Sequence, residues 1–378
     1  MSDREALLAA IRANPDEDLP RHLYADWLEE NGSSLPAIER ASAGDRAAFI
    51  RFQLEAGRAE PYTAAARAAE LSASSLLDMA KNDVWTWHLI GLMLDVGFER
   101  GFIERANVDA AKFPEDAAAL FELEPIRSIR AVRPIPSRSE YEVPLAPFFD
   151  VPQLQKILSL DLQSVELSYD DCVNLANSPY LTGLAHLSLR GNPIFPPWFR
   201  EFVSGPLWPN LSSLDLSDIS NLGPAIAKGF READHRRFAK LDLSGVSFRS
   251  DDLKQTLGSA CVSELEELRL RWNGGSAMPG SLTHLELGWV IPWDRLRLLD
   301  LEGQGIGPEG VREIVRHEQA TNLRWLNLAR NYLGSDGVRL LVEKSRLNLF
   351  YLDVRHNDLG PKDEAALQQR FPEAMIVI

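Results

Sequence analysis

The word LxxLxL recurs along this chain at a nearly constant phase, and no other feature limits the fold as strongly. It is read at Ile157/Leu160/Leu162, Leu184/Leu187/Leu189, Leu211/Leu214/Leu216, Phe238/Leu241/Leu243 and Leu265/Leu268/Leu270. It returns at Leu296/Leu299/Leu301, Leu323/Leu326/Leu328 and Leu349/Leu352/Val354. The starts from 157 to 265 are 27 residues apart, and the last three are spaced 27 and 26. Alternation in LxL puts leucines on one side of a short strand and polar residues on the other. One unit cannot bury its own leucines, so neighbours must stack. Weaker copies at Ile103/Ala106/Val108 and Ile126/Ile129/Ala131, and a short one at Leu282/Leu285/Leu287, bring the candidate strands to eleven. Parallel strands spaced about 4.8 Å would make a sheet of roughly 50 Å. The returning half of two units carries apolar residues at helical spacing, after the turns IGPEGV (306–311) and LGSDGV (333–338).

The pattern LxxLxLxxNxL resembles the leucine-rich-repeat family, and the LGxxGV turns and period are similar to its ribonuclease-inhibitor-like subclass. The resemblance implies an α/β horseshoe with a parallel concave sheet and outer helices over 101–378. In that family the ninth-position asparagine turns inward and bonds backbone along the stack. The position holds Asn192, Asn273, Asn331 and Asn357, with Gln304 in one copy. Val165, Ile219 and Val246 depart from it and should pack an aliphatic side chain instead. Pro134–Pro152 holds five prolines and stretches one period to 31, which reads as a loop replacing or interrupting a helix. WNGGSAMPGS (272–281) is too short for a helix, and RFPEAMIVI reads as a last strand covering the open edge.

The first hundred residues differ. Ser2–Ala13 reads as a helix with a capping box of Ser2 and Glu5, ended by Pro15. Asp18 is a candidate cap for LPRHLYADWLEE, which stops at Asn31–Gly32. Further helices are expected after Asp45 to Gly57, over Ala64–Ala80, and over Val84–Leu94 with Trp85 and Trp87. LLAAIRANPDEDLPRHLYADWLEENG and RAAFIRFQLE resemble the bacterial repeat-companion domain, a small helical module found ahead of repeat arrays. GFERGFIERANVDAAKF (97–113) looks like the usual lead-in to such an array. The expected organisation is a helical companion module at 1–58, a helical connector at 59–100, and the repeat solenoid at 101–378.

Composition narrows the function classes. The chain has 378 residues, is 45% hydrophobic and 25% charged, and carries a net charge of −15. That balance argues against nucleic acid, whose phosphates need a basic footprint, and suits a protein partner with a basic segment. Two cysteines, Cys172 and Cys261, without a CxxC exclude a disulfide framework or cysteine-bound zinc and suit a reducing cytoplasm. The N-terminus lacks a signal-peptide pattern, and Val84–Gly97 is too short and polar to span a membrane. His22 and Asp26 share a helix face but lack a third ligand, so neither a metal site nor catalysis is expected. No phosphate loop, HExxH or nucleophile–base set occurs, and no cofactor is implied.

The exposed side of the strands is the candidate site. Positions three, five and seven of each LxxLxL should point to the concave face. The fifth-position column reads Asn107, Arg130, Asp161, Ser188, Asp215, Asp242, Arg269, Glu286, Asp300, Asn327 and Asp353. Asp215 with Asp242, and Glu286 with Asp300, should be neighbours, at a cost on the order of 1–3 kcal/mol that a basic ligand would offset. Trp325 and Tyr351 at the third position, beside Asp353 and Arg355, have the make-up of a binding hot spot. His186, Arg190, Arg269 and Arg271 form a smaller basic island. The expected function is a non-catalytic protein-interaction scaffold. The alternatives are an inhibitor or sensor of a bacterial regulatory or defence system, and a hydrolase around His22 and Asp26.

Overall fold

The structure is a computed structural model that describes residues 2–80, 84–133, 144–233, 238–272 and 291–378. The chain divides into two compact units, Met1–Asp161 and Leu162–Ile378.

The first unit opens with α1 (Asp3–Ala13), α2 (Leu19–Asn31), the single turn α3 (Ala37–Arg40), α4 (Ala43–Arg58) and α5 (Ala64–Ala80). The capping box forms as expected: the Ser2 Oγ accepts from the Glu5 N–H at 3.3 Å, and the Glu5 carboxylate accepts from the Ser2 N–H at 2.8 Å. Asp18 occupies the N-cap position of α2 but makes no capping bond; its carboxylate pairs with Arg58 at 3.0 Å instead. Ile11, Tyr24, Leu28, Ala47, Ile50 and Leu54 form a core with Phe102, and Trp27 packs on its edge. Asp26, four residues after His22, pairs with Arg51 at 2.7 Å, and Arg51 also holds Glu29.

The helix expected over Val84–Leu94 does not form. The segment is a turn, a 3₁₀ turn at Trp87–Leu89, and then strand β1 (Asp95–Glu99). Gly91 sits at a φ of 92°, which no helix tolerates, and the Trp85 indole N–H is held by the Ser42 Oγ at 3.1 Å. Tertiary docking of an aromatic side chain has overridden a weak amphipathic pattern. β1 pairs antiparallel with β2 (Phe102–Asp109) through a tight turn, with Arg100 and Gly101 both at positive φ. A Cβ at Gly101 would lie 2.4 Å from Ile50, so this hairpin tip presses on α4 in a way only glycine permits. β2 is followed by α6 (Phe113–Leu123) and pairs in parallel with β3 (Ser128–Val132). The short helix α7 (Ala146–Phe149) and a 3₁₀ turn at Pro152–Lys156 then lead to β4 (Ser159–Asp161), parallel to β3. Residues 134–143 of the proline-rich loop lie outside the described residues; its described part is helical only over those short turns.

The second unit is the regular array. After α8 (Tyr169–Asn177) come β5 (His186–Ser188), α9 (Pro196–Val203), β6 (Ser213–Asp215), α10 (Gly223–Glu232), β7 (Lys240–Asp242) and α11 (Ser250–Leu257). They are followed by β8 (Glu267–Arg269), β9 (Leu298–Asp300), α12 (Gly307–Arg316), β10 (Trp325–Asn327), α13 (Gly334–Glu343), β11 (Tyr351–Asp353), α14 (Pro361–Arg370) and β12 (Met375–Val377). Each strand is parallel to the next and in repeat register: Leu187, Leu214, Leu241, Leu268, Leu299, Leu326, Leu352 and Ile376 stand side by side. The leucines at positions one, four and six are buried. This is a leucine-rich-repeat fold, and β12 covers the edge of β11 as the terminal sequence suggested.

The ladder residues behave as the pattern implies. The Asn331 amide donates to the Leu301 carbonyl at 2.8 Å and accepts from the Ile306 N–H at 3.3 Å. Asn357 donates to Leu328 and Val354 carbonyls and accepts from the Asn331 and Leu333 N–H groups. Asn192 does the same around Leu162 and Leu167, and the Gln304 amide reaches the Leu270 carbonyl. Val165, Ile219 and Val246 are buried in their place. Asn273, and the short copy at Leu282/Leu285/Leu287, lie outside the described residues.

Candidate protein-binding face

The face of the strands opposite the leucines is set by the same alternation that buries them. At the third position of β10 and β11, Trp325 and Tyr351 stand in register and stack, with ring centroids 4.7 Å apart and planes within 3°. Both are part-exposed. In the same column Leu298 lies beside Trp325 and Met375 beside Tyr351. Leu298 is buried, whereas Met375 is 43% exposed, so the apolar strip runs from covered to open toward β12. The sequence reasoning missed Leu298 and Met375; reading the third position of every unit in register would have found them.

The fifth position tells a different story. Asp300, Asn327 and Asp353 are 2%, 5% and 1% exposed, so they are floor and not rim. Their side chains turn along the chain. Asp215, Asp242, Asp300, Asn327 and Asp353 each accept the N–H two residues on, at Ser217, Ser244, Glu302, Ala329 and Arg355, over 2.9 to 3.2 Å. An acceptor oxygen on a short side chain is what such a turn needs after a strand, which accounts for Asp and Asn in this column. Asp215 also accepts from the hydroxyls of Ser217 and Ser188. Asp215 and Asp242 are in register as expected, and burial, helped by the Asp215 charge, raises the Asp242 carboxyl.

Asp300 is the most perturbed of the set: burial pushes its carboxyl up to about 7, against the Glu302 N–H and the Arg271 guanidinium at 3.4 Å. Glu286 lies outside the described residues. β8 pairs directly with β9, and the neighbour of Asp300 on that side is Arg269. Asp353 is held by Arg355, whose guanidinium approaches to 2.6 Å, and accepts from the Tyr351 hydroxyl at 3.4 Å. Burial, and then the Asp353 charge, raise the Tyr351 phenol. Arg355 keeps 48% of its side chain exposed, so it fixes Asp353 and still presents a guanidinium edge outward.

The basic island is also spoken for. Arg190 pairs with Asp218 at 2.9 Å, Arg269 with Glu267 at 3.3 Å, and Arg271 with Asp300. Glu302 joins Arg330 at 3.4 Å and the Asn327 amide at 3.4 Å. What remains available at the C-terminal end of the face is an aromatic pair, a thioether and one guanidinium edge. That set suits a mixed apolar and polar protein surface. Among the described residues no cluster of three or more His, Cys, Asp or Glu is placed to hold a metal, and no helix is long and apolar enough to cross a membrane.

No family model matches the chain, and neither does any curated protein. Among solved structures, the chain is similar to the Rad7–Elc1 complex of yeast, with 14% identity over 71% of this chain and 83% of that one and a TM-score of 0.41. It is also similar to a leucine-rich-repeat protein of Leptospira interrogans, with 14% identity over 72% and 75% and a TM-score of 0.31. The TLR13–ssRNA13 complex is similar over 59% of this chain and 39% of that one, at 17% identity and a TM-score of 0.30. All three scores lie below 0.5, so the assignment of the fold rests on the repeats and ladder of this chain itself.

Proposed function

We propose that the protein is a non-catalytic interaction scaffold that binds a protein partner on the open face of its second unit, at β10–β12. The observation that carries this reading is the parallel Trp325–Tyr351 stack, part-exposed beside the open Met375 and the Arg355 edge. Aromatic and arginine side chains in a preformed surface are the residues that concentrate binding energy, because little ordering is needed when the partner arrives. Asp300, Asn327 and Asp353 support the floor, while Asp215 and Asp242 lie further along the column and suit a basic segment of the partner. The leucine-rich units belong, in this reading, to the ribonuclease-inhibitor-like subclass, with residues 1–58 as a repeat-companion module, 59–100 as its connector and 101–378 as the array, in a bacterial cytoplasm.

Affinity purification from the native host, with mass spectrometry, identifies co-purifying proteins for wild type and for Trp325→Ala/Tyr351→Ala. The double variant is expected to keep its melting temperature within a few degrees and to lose the main partner at least tenfold. Retention of every partner by a folded double variant removes this face from consideration.

A further inference from the structure

The first unit holds a half-open cavity of about 300 Å³. It lies among α1, α2 and α4 and is bordered by residues 84–88 and 123–125. A cavity of roughly 150 Å³ already takes a benzene ring, so this one has room for a ring and a short arm. Its lining is of two kinds. Leu8, Trp85 and Trp87 offer apolar surface, and Arg4, Arg12 and Arg46 bring three cations. Trp87 is 53% exposed and marks the mouth.

Arg46 decides what the cavity accepts. Its guanidinium carbon lies 4.5 Å from the Trp85 ring centre, 4.9 Å from Phe98 and 5.5 Å from Phe102. The rings answer part of the charge but are poor substitutes for a hydrogen-bond acceptor. The Nη1 nitrogen is buried without a hydrogen-bond partner, and the Glu124 charge acts on the guanidinium. Burial lowers the guanidinium only to about 10, so it stays charged at neutral pH. The other charges in the lining are already engaged. Arg4 pairs with Glu39, Glu124 binds His88 at 2.9 Å, and Arg12 donates to the Leu123 carbonyl at 3.5 Å. Three arginines against two glutamates leave the lining cationic in a chain whose net charge is −15. Arg46 as a whole is part-exposed, and a planar, singly charged acceptor matches the geometry of a guanidinium whose hydrogen bonds are incomplete.

We propose that this cavity binds a carboxylate carried on a single aromatic ring, the carboxylate accepting from Arg46 and the ring lying against Leu8 and Trp87. This site is separate from the face in the second unit and stands whether or not that face binds protein. A free aryl-alkanoic acid and the C-terminal residue of a peptide share this chemistry.

The probes are 3-phenylpropionate and the tripeptide Gly-Gly-Phe, each compared with its own C-terminal amide, titrated into the full chain. Tryptophan fluorescence, from Trp85 and Trp87, and calorimetry report binding. At least one acid is expected to bind saturably, with its amide at least tenfold weaker. Binding of the small acid alone assigns a metabolite-like ligand, and binding of the tripeptide alone assigns a chain terminus; both support the proposal. Arg46→Met should lower acid affinity at least tenfold and erase the acid–amide difference, with circular dichroism as the check on folding. Should Arg46→Met fail to fold, Trp87→Ala at the exposed mouth is expected to weaken the acid several-fold in a folded chain. No saturable binding of either acid, equal affinity for acid and amide, or full binding by the folded variants overturns the proposal.

Discussion

Arg21 and Glu104 show how much a single buried charge can cost and contribute. Arg21 is fully buried; its guanidinium meets the Glu104 carboxylate at 2.8 Å and the Pro15 carbonyl at 2.7 Å, and Arg100 reaches the other carboxylate oxygen at 2.9 Å. Burial lowers the one and raises the other, yet the geometry keeps the pair together. Removing a single partner strands a charge, so Arg21→Met should destabilise by about 3–5 kcal/mol in urea unfolding. Arg21→Met/Glu104→Leu should lose less than either single change; a double variant as damaged as the sum would show that the two charges act independently. Asp300 makes the pH prediction. Its carboxyl is raised from about 3.9 in an unfolded chain to about 7 in the fold. Its contribution is therefore fully present below about pH 4 and is lost as the pH rises through 7, by at most about 4 kcal/mol. Asp300→Asn keeps the oxygen that accepts the Glu302 N–H, as Asn327 does one repeat later for Ala329. The variant should exceed wild type by on the order of 1–3 kcal/mol at pH 8 and lose that lead at pH 5. An identical difference at both pH values would mean that Asp300 does not titrate in this range.

Among the elements, strands were the most legible and the connector the least. Ten of the eleven strand words are strands in the described residues, because a leucine every two or three residues over a fixed phase leaves no other way to bury them. The ladder was legible for the same reason, since an asparagine at a fixed offset has a fixed backbone to satisfy. Asn357 shows the stake: three carbonyls and two N–H groups depend on it. Asn357→Ala should cost about 2–4 kcal/mol, read by chemical unfolding, because the stranded groups cannot reach water. A loss under ~1 kcal/mol would mean that water replaces the amide. The segment 84–94 was misread because its two tryptophans satisfy a helical pattern, while its conformation is chosen by Ser42 and by a glycine at positive φ. Ser42 lies outside those eleven residues, and the identity of Gly91 alone does not reveal its φ.

Over the whole molecule, stability in the array is a sum of repeats and the interfaces between them, so a terminal unit matters beyond its size. β12 pairs with β11, and Phe371 just ahead of it in the chain is buried. Truncation after Arg370 should expose the β11 edge and the leucines behind it. Light scattering during size-exclusion chromatography should then show more oligomers or aggregates than the untruncated chain shows, since an open strand edge is a pairing template. A truncated chain that stays dispersed would mean that α14 alone protects the edge.

Leucine spacing was enough to specify a parallel array, its register and its ladder, since these follow from local alternation repeated at one period. It could not specify which side chains of the open face stay open. Position five looked like an exposed acidic column from its composition. Only the folded turns show that Asp215, Asp242, Asp300, Asn327 and Asp353 bend to the N–H two residues ahead and that Arg271, Arg355 and Glu302 approach Asp300, Asp353 and Asn327. The same holds for Arg46, whose ring of aromatics comes from positions 49, 85, 98 and 102. Exposure and desolvation depend on what approaches from elsewhere in the chain, and that is settled only when the units have stacked.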